Sequence, residues 1–561
     1  AMYKRVIDFT YDFQTANTKQ FTHCYHAYPA MMIPQIARTL MQRYAPNGKK
    51  EVLFDPYMGS GTSLVEGAML GYNCVGTDIN PLARLITEAK ITHFDTNKIA
   101  CCLPIVNSLH SDYSAEKVLN RDFSRISNYS FWYSEDVLLK LSFVSQTIET
   151  FDIAVQLFFK IALSEVVREV SFTRNGEFKR FKMSEAQLER FHPDVFGLFV
   201  SKIERNLKGL IEFNSTKNEA NTRIFDFNTV HEIPSDALAV NSVDMVVTSP
   251  PYGDSRTTVA YGQFSRWANE WFGYPNAKNI DNVLMGGTRQ RKANFVAKTI
   301  EHELLKIKNI DEKRYLEVVS FLNDYHDSIR NVASVVRLGG RVCYVVGNRT
   351  VKGVQISLDY FTAEMFENYG FKHEITIVRN IPNKRMPSKT SPSNIAGEKV
   401  STMSNEFIVV LTKLKHTDKK NPFKVFEPIQ LCLFESNALY IAKSKDVLVG
   451  TCRQSVRQWI KDNLLYNYPI TDEQLSKYPE LLHIRKILVS YRKSVVGFFD
   501  VFDAQIVDKQ HLVTLGYPIK SSRHKADTKY VLYKLKESEN EIPAIDKDDY
   551  TQIVGDGVKL G

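Results

Sequence analysis

The chain has 561 residues and a mass of 64.3 kDa, more than one ordinary hydrophobic core can hold, so two or three packing units are expected. Hydrophobic residues at 43%, aromatics at 12% and charged residues at 24% exclude a disordered, collagen-like or low-complexity protein. The net charge of +9 is concentrated, with roughly +10 falling on residues 253–424, which is the footprint of a surface that faces a polyanion.

In chain order, Glu51-Val52-Leu53-Phe54 reads as a short buried strand. It runs into Asp55-Pro56-Tyr57-Met58-Gly59-Ser60-Gly61-Thr62 and then a helix through Leu64, Ala68 and Leu70 that Gly71 closes. A second strand, Cys74 to Thr77, delivers Asp78 at its end, and Pro81-Leu82-Ala83 opens another helix. Strand, glycine turn, helix, strand and acidic residue make the start of a doubly wound parallel sheet. Residues 95–220 interrupt it with helical patterns from Asp136 to Phe143, Ile153 to Val170 and Ser184 to Leu210. They also hold a basic patch, Arg174, Lys179, Arg180 and Lys182, around an Asn175-Gly176 turn, which suits a solvated hairpin at least as well as a nucleic-acid contact. Strands resume at Val243 to Val247, which stops at Thr248-Ser249-Pro250-Pro251-Tyr252, then at Arg341 to Val346 and Phe407 to Leu411.

After a polar linker, Lys415 to Pro422, a separate domain is expected, with a helix from Arg453 to Leu465 and strands near 486–491, 495–501 and 530–535. Its basic run, Lys520, Arg523, His524, Lys525 and Lys529, could touch a phosphate, and its acidic tail reads as solvated. The expected fold is α/β: a doubly wound, Rossmann-like sheet in two halves, 1–94 and 221–415, a helical insertion over 95–220 and a C-terminal α+β domain over 425–561. No apolar run is long enough to span a bilayer, Ala1-Met2-Tyr3-Lys4-Arg5 opens no apolar stretch resembling a signal peptide, and Ala1 reads as a cloning scar. The seven cysteines form no C-x-x-C pair and no zinc spacing, so no metal is expected, and a cytoplasmic enzyme fits best.

Two segments carry chemistry. The glycine turn of Gly59, Ser60, Gly61 and Thr62 lets a ligand approach the backbone at a helix N-terminus, and no lysine follows, so the phosphate-binding P-loop pattern fails. Asp78 ends the next strand, where a carboxylate can accept hydrogen bonds from ribose hydroxyls, so a nucleoside cofactor is the better reading of the pair. In Ser249-Pro250-Pro251-Tyr252 two prolines end a buried strand in a stiff turn that presents a hydroxyl, carbonyl oxygens and an aromatic ring. A planar base can stack on Tyr252 while its amino group donates to Ser249 and the turn.

These segments resemble the amino-directed, S-adenosylmethionine-dependent DNA methyltransferases. The cofactor motif of that family is similar to the run from Asp55 and Pro56 to Thr62, and its [DNS]-P-P-[YFW] motif is matched by Ser249, Pro250, Pro251 and Tyr252. The serine form is similar to that of enzymes methylating cytosine N4. The resemblance extends to His23 through Ala30, which looks like the lid motif whose Tyr28 and Pro29 pack near the methionine part, with Met31 where many relatives carry lysine. Asp226 stands where the family places an acid near the adenine amino group; Gly347-Asn348-Arg349 and Asn383-Lys384-Arg385 also look familiar.

The resemblance covers roughly 20–415 and implies a methyltransferase sheet, S-adenosylmethionine as cofactor and double-stranded DNA as partner. It also implies a base flipped from the duplex and a cognate restriction endonuclease. The expected phosphate contacts are Arg256, Arg266, Arg289, Arg291 and Lys292, and target reading falls to the insertion or to residues 425–561. Adenine-N6 DNA methylation, tRNA guanine-N2 or protein-glutamine methylation, and binding without catalysis stay open.

Overall fold

The computed structural model describes residues 3–46, 51–174, 176, 178–216, 220–254, 259–381, 389–390, 400–401 and 405–416, and beyond them 447–451, 459–460, 462–470, 472, 482, 486–491, 494–517 and 529–537. The chain divides into two compact units, Ala1–Ala293 with Ala297–Lys419, and Lys420–Gly561 with Asn294–Val296.

The first unit is built on strands β1 (Arg5–Ile7), β2 (Val52–Asp55), β3 (Asn73–Thr77), β4 (Thr222–Phe225), β5 (Val243–Thr248) and β6 (Val336–Val346). After a two-stranded ribbon of β7 (Thr350–Val351) and β8 (Val354–Gln355) comes β9 (Phe371–Asn380). A second ribbon, β10 (Lys389–Thr390) with β11 (Val400–Ser401), precedes β12 (Asn405–Lys413). Among the described residues the main sheet has the order β1-β9-β12-β6-β5-β2-β3-β4. From β4 through β6 every neighbouring pair is parallel, while β12 runs antiparallel to both β6 and β9. The continuous apolar runs of β5 and of the second half of β6 follow from burial on both faces.

Helices α1 (Pro34–Tyr44), α2 (Thr62–Met69) and α3 (Pro81–Ile91) belong to this half. On one face Ile36, Leu40 and Met41 of α1 pack on Met245, Val247, Cys343 and Val345. Gly71, at φ +90°, takes the left-handed position after α2 and lets the Tyr72 N–H reach back to the Gly67 carbonyl at 2.9 Å.

The insertion is helical, as its periodicity indicates: α4 (Thr96–Asp112), α5 (Tyr129–Trp132), α6 (Glu135–Glu149), α7 (Ile153–Glu169), α8 (Glu185–Leu188) and α9 (Val195–Asn214). The expected single helix over 184–210 is two, because Pro193 cannot continue the first and Asp194 caps the second by accepting from the Gly197 N–H at 2.9 Å. Leu141, Val144, Phe158, Ile161 and Phe199 join Ile86 and Ala89 of α3, and Trp267 and Trp271 of α10 (Tyr261–Trp271), in one core.

The second unit has its own core. Among the described residues its strands β13 (Val447–Thr451), β14 (Leu465–Ile470), β15 (Lys486–Tyr491), β16 (Ser494–Val507) and β17 (Lys529–Glu537) take the order β13-β15-β16-β17-β14. Ile487, Val489, Phe499, Val531 and Tyr533 pack with Trp459 and Ile460. The expected helix over 453–465 ends early, since Leu465 begins β14, and residues 452–458 and 461 lie outside the described residues. So do Lys520, Arg523, His524, Lys525 and the tail beyond Glu537.

Candidate active site

Parallel pairing puts the carboxyl ends of β2, β3 and β5 on one edge of the sheet, so the glycine turn, Asp78 and the Pro-Pro turn meet there. Register brings them closer still. Phe54 pairs with Val246, and the Thr248 hydroxyl donates to the Asp55 carboxylate at 2.5 Å, tying the roots of the two turns together. The same Asp55 oxygen accepts the Tyr57 N–H at 3.1 Å, and burial pushes its carboxyl up to about 7.

The glycine turn is held from behind. The Gly59 N–H donates to Asp78 Oδ2 at 3.0 Å, and the Asn80 N–H to Asp78 Oδ1 at 2.8 Å, so this carboxylate shapes the turn while its remaining lone pairs face the cleft. Burial pushes Asp78 up to about 6 against the pull of those two N–H groups. Gly61 sits at φ +74° as the N-cap of α2, with no side chain capping the helix, and a Cβ there would lie 2.6 Å from the Thr87 side chain. Gly61→Ala is therefore expected to lower unfolding stability by about 1–3 kcal/mol, read by denaturant titration.

A cleft of about 900 Å³, counting the solvent at its mouth, opens at this edge. Its floor is Asp55, Pro56, Gly59, Ser60 and Thr62; one wall is Asp78 and Asn80, and another is Tyr28, Pro29 and Ala30. Ser249 and Pro251 reach it from the other turn. Met31 lines it too. A second, smaller cavity, about 270 Å³ counting the solvent at its mouth, is lined by Ser249, Pro250, Pro251, Tyr252 and Gly253, and it shares Ala30, Ser249, Pro251 and Tyr261 with the first. Ser249 Oγ lies 3.2 Å from the Tyr252 hydroxyl, which donates to Glu406 Oε1 at 3.0 Å. Glu406 is in turn paired with Arg379, a guanidinium only 1% exposed and fixed to the Tyr11 carbonyl at 2.7 Å. Burial and the Glu406 charge push the Tyr252 phenol well above its ordinary value, so it stays a donor.

Several residues that sequence reasoning did not find stand here. Asn80 caps α3 and donates to the Tyr28 hydroxyl at 3.0 Å and to Ser265 at 2.7 Å; its place before Pro81 was the available signal. Tyr261 stacks on Tyr28 at 5.9 Å between ring centres, and Glu406 arrives from β12; no local pattern marks either.

Other expectations are corrected. Asp226 is exposed just past β4 and is not on the cleft wall; the Thr77 hydroxyl holds the Phe227 carbonyl at 2.6 Å, turning Phe227, Asn228 and Thr229 over the cleft instead. Arg266 is engaged by Glu270 and Ser127, inside the protein rather than at a phosphate surface. Arg289 is exposed but pairs with Glu317 at 3.2 Å, while Arg291 and Lys292 are exposed. Arg256, Asn383, Lys384 and Arg385 lie outside the described residues. Asn348 bonds to Asp359 at 2.8 Å and Arg349 to Asp254 at 3.2 Å.

The fold and cleft define the class of S-adenosylmethionine-dependent methyltransferases, and the residues fit that cofactor. An acid stands at the end of β3, and a glycine turn leads into an uncapped helix N-terminus. The RMKL-like methyltransferase domain, UPF0020, matches residues 23–103. The chain is 38% identical over 431 residues to the Type II methyltransferase M.MvaI of Kocuria varians, covering 71% of this chain and 92% of that one. It is 22% identical over 265 residues to the Type II methyltransferase M.BsoBI of Geobacillus stearothermophilus, covering 42% and 50%. A solved rRNA methyltransferase, aviRa of Streptomyces viridochromogenes, is 11% identical with a TM-score of 0.26, covering 69% of this chain and 88% of that one. The chain belongs to the Type II DNA methyltransferases. Among the described residues no helix is long and apolar enough to cross a membrane.

Proposed function

We propose that this enzyme methylates the exocyclic N4 of cytosine at specific sites in duplex DNA, as the modification partner of a cognate restriction endonuclease. The observation that carries the reading is the adjoining pair of cavities, one bounded by the glycine turn and Asp78, the other by Tyr252, with Ser249 and Pro251 on the wall they share. S-Adenosylmethionine, when bound, supplies an electrophilic methyl group. Gly59, Ser60, Gly61 and Thr62 would hold its polar end against the start of α2, and Asp78 would accept from its ribose.

The chain's own part is alignment. The lone pair of an aromatic amine is delocalised into its ring and is a weak nucleophile. Hydrogen bonds from that amine to Ser249 Oγ and to the Pro250 carbonyl favour a tetrahedral nitrogen with a localised pair. Tyr252 offers its face to the everted base, and Glu406 fixes the edge of that ring. Ser249 in place of Asp or Asn supports cytosine over adenine, with adenine-N6 methylation as the second reading. Labelled cofactor offered to genomic duplex DNA, bulk tRNA and a protein extract is expected to mark the DNA. Label confined to tRNA or protein would overturn the substrate class.

A further inference from the structure

With Arg266 turned inward and Arg289 paired, the insertion offers another surface of cations and rings beside the cleft. Residues 172–174 pair with residues 181–183 as the two arms of a hairpin: the Arg174 N–H bonds to the Phe181 carbonyl at 2.8 Å and the Met183 N–H to the Phe172 carbonyl at 2.9 Å. The Phe172 N–H donates to the Trp132 carbonyl at 2.7 Å, joining α5 to the hairpin. Four aromatic side chains here are unusually exposed for their size: Tyr129 at 41%, Phe131 at 46%, Phe178 at 37% and Phe181 at 44%.

Cations are interleaved with these rings. The half-buried Lys182 places its ammonium 3.7 Å from the centre of the Phe131 ring, while Arg180 turns inward, 4.8 Å from the ring of the buried Trp267, whose indole N–H donates to Thr173 at 3.0 Å. The hairpin is also anchored to the cleft. The Arg180 N–H donates to Gln263 of α10 at 3.2 Å, and the Phe178 ring meets Phe264, which meets Tyr28 of the cleft wall at 6.0 Å. An anchored hairpin that shows water several rings and concentrates positive charge has the make-up of a nucleic-acid contact: ammonium groups for phosphates, ring faces for bases and sugars.

We propose that this hairpin and α5 form a docking surface for duplex DNA beside the everted nucleotide, with Lys179 and Lys182 on the backbone and Phe178 against the nucleotides nearest the cleft. The proposal rests on the reading that the chain acts on duplex DNA. Charge complementarity selects the occupant, since Arg174, Lys179 and Lys182 outnumber the single acidic residue in the sequence of this stretch, Glu177, while Arg180 is taken up against Trp267.

The test uses the full chain and a fluorescent duplex carrying the methylated site. The Lys179→Ala/Lys182→Ala double variant is expected to raise the DNA Kd about 5- to 20-fold and to reduce the slope of log K against log salt by about 2. Phe178→Ala is expected to raise Kd about 5- to 10-fold with the slope unchanged. Cofactor Kd, measured by calorimetry, and melting temperature should match wild type in the double variant. Unchanged DNA Kd and salt slope in variants of an active, DNA-binding wild type would overturn the docking surface alone. A loss of self-association in place of DNA affinity would overturn it in favour of a second copy of the chain. A wild type that neither binds nor methylates duplex DNA would overturn the underlying function, and the docking surface with it.

Discussion

Tyr252→Ala is expected to lower kcat/KM for DNA methylation about 10- to 100-fold, the worth of one base stacked on an aromatic face, while leaving the cofactor Kd within about twofold of wild type. Tyr252→Phe separates the ring from its hydroxyl. It keeps the stacking face but gives up the donation to Glu406 Oε1 at 3.0 Å, so the expected loss is smaller, about 3- to 10-fold. Steady-state kinetics on duplex DNA with calorimetry of the cofactor reads both variants. A cofactor Kd that moves as far as kcat/KM would show that Tyr252 shapes the cofactor cleft and not the base pocket.

Asp78→Ala has the opposite signature. It removes the acceptor for the Gly59 and Asn80 N–H groups and, with it, the proposed ribose contact, so the cofactor Kd is expected to rise about 10- to 100-fold while kcat at saturating cofactor changes little. The pH dependence follows from the same carboxylate. Burial raises it to about 6, so it is ionised and able to accept above that value and protonated below it. Cofactor affinity in the wild type should therefore weaken as pH falls from 7 toward 5, and the fall should be smaller in Asp78→Ala, where Asp55, pushed up to about 7 on the same cleft floor, is left to titrate.

The parts of this account that were legible in the chain are those governed by neighbours in sequence. A strand of buried β-branched residues, a left-handed glycine turn and a double proline each impose their geometry locally, which is why β2, β3, β5 and their turns stand close to where the pattern predicts. Elements set by longer contacts were not legible. Glu406 reaches Tyr252 because β12 runs antiparallel beside β6, a pairing no spacing encodes. Tyr261 reaches Tyr28 across more than two hundred residues because the insertion's core fixes α10. Composition misled at Arg266 for a related reason: counting charge over 253–424 does not show that a glutamate four residues on, Glu270, consumes one of those cations on the same helix face. Asp226 failed by one residue of register, since the chain past β4 presents Phe227 to the cleft.

The most direct measurement of the central claim, that donor and target base meet between the glycine turn and the proline turn, is mass spectrometry of the nucleosides released from DNA after incubation with isotope-labelled S-adenosylmethionine. The account predicts label in N4-methylcytosine, lost when Tyr252 or Ser249 is replaced by Ala. Label in N6-methyladenine would contradict the assignment of the base, and label at a ring carbon, which needs a covalent adduct rather than an aligned amine, would contradict the chemistry of the cleft itself.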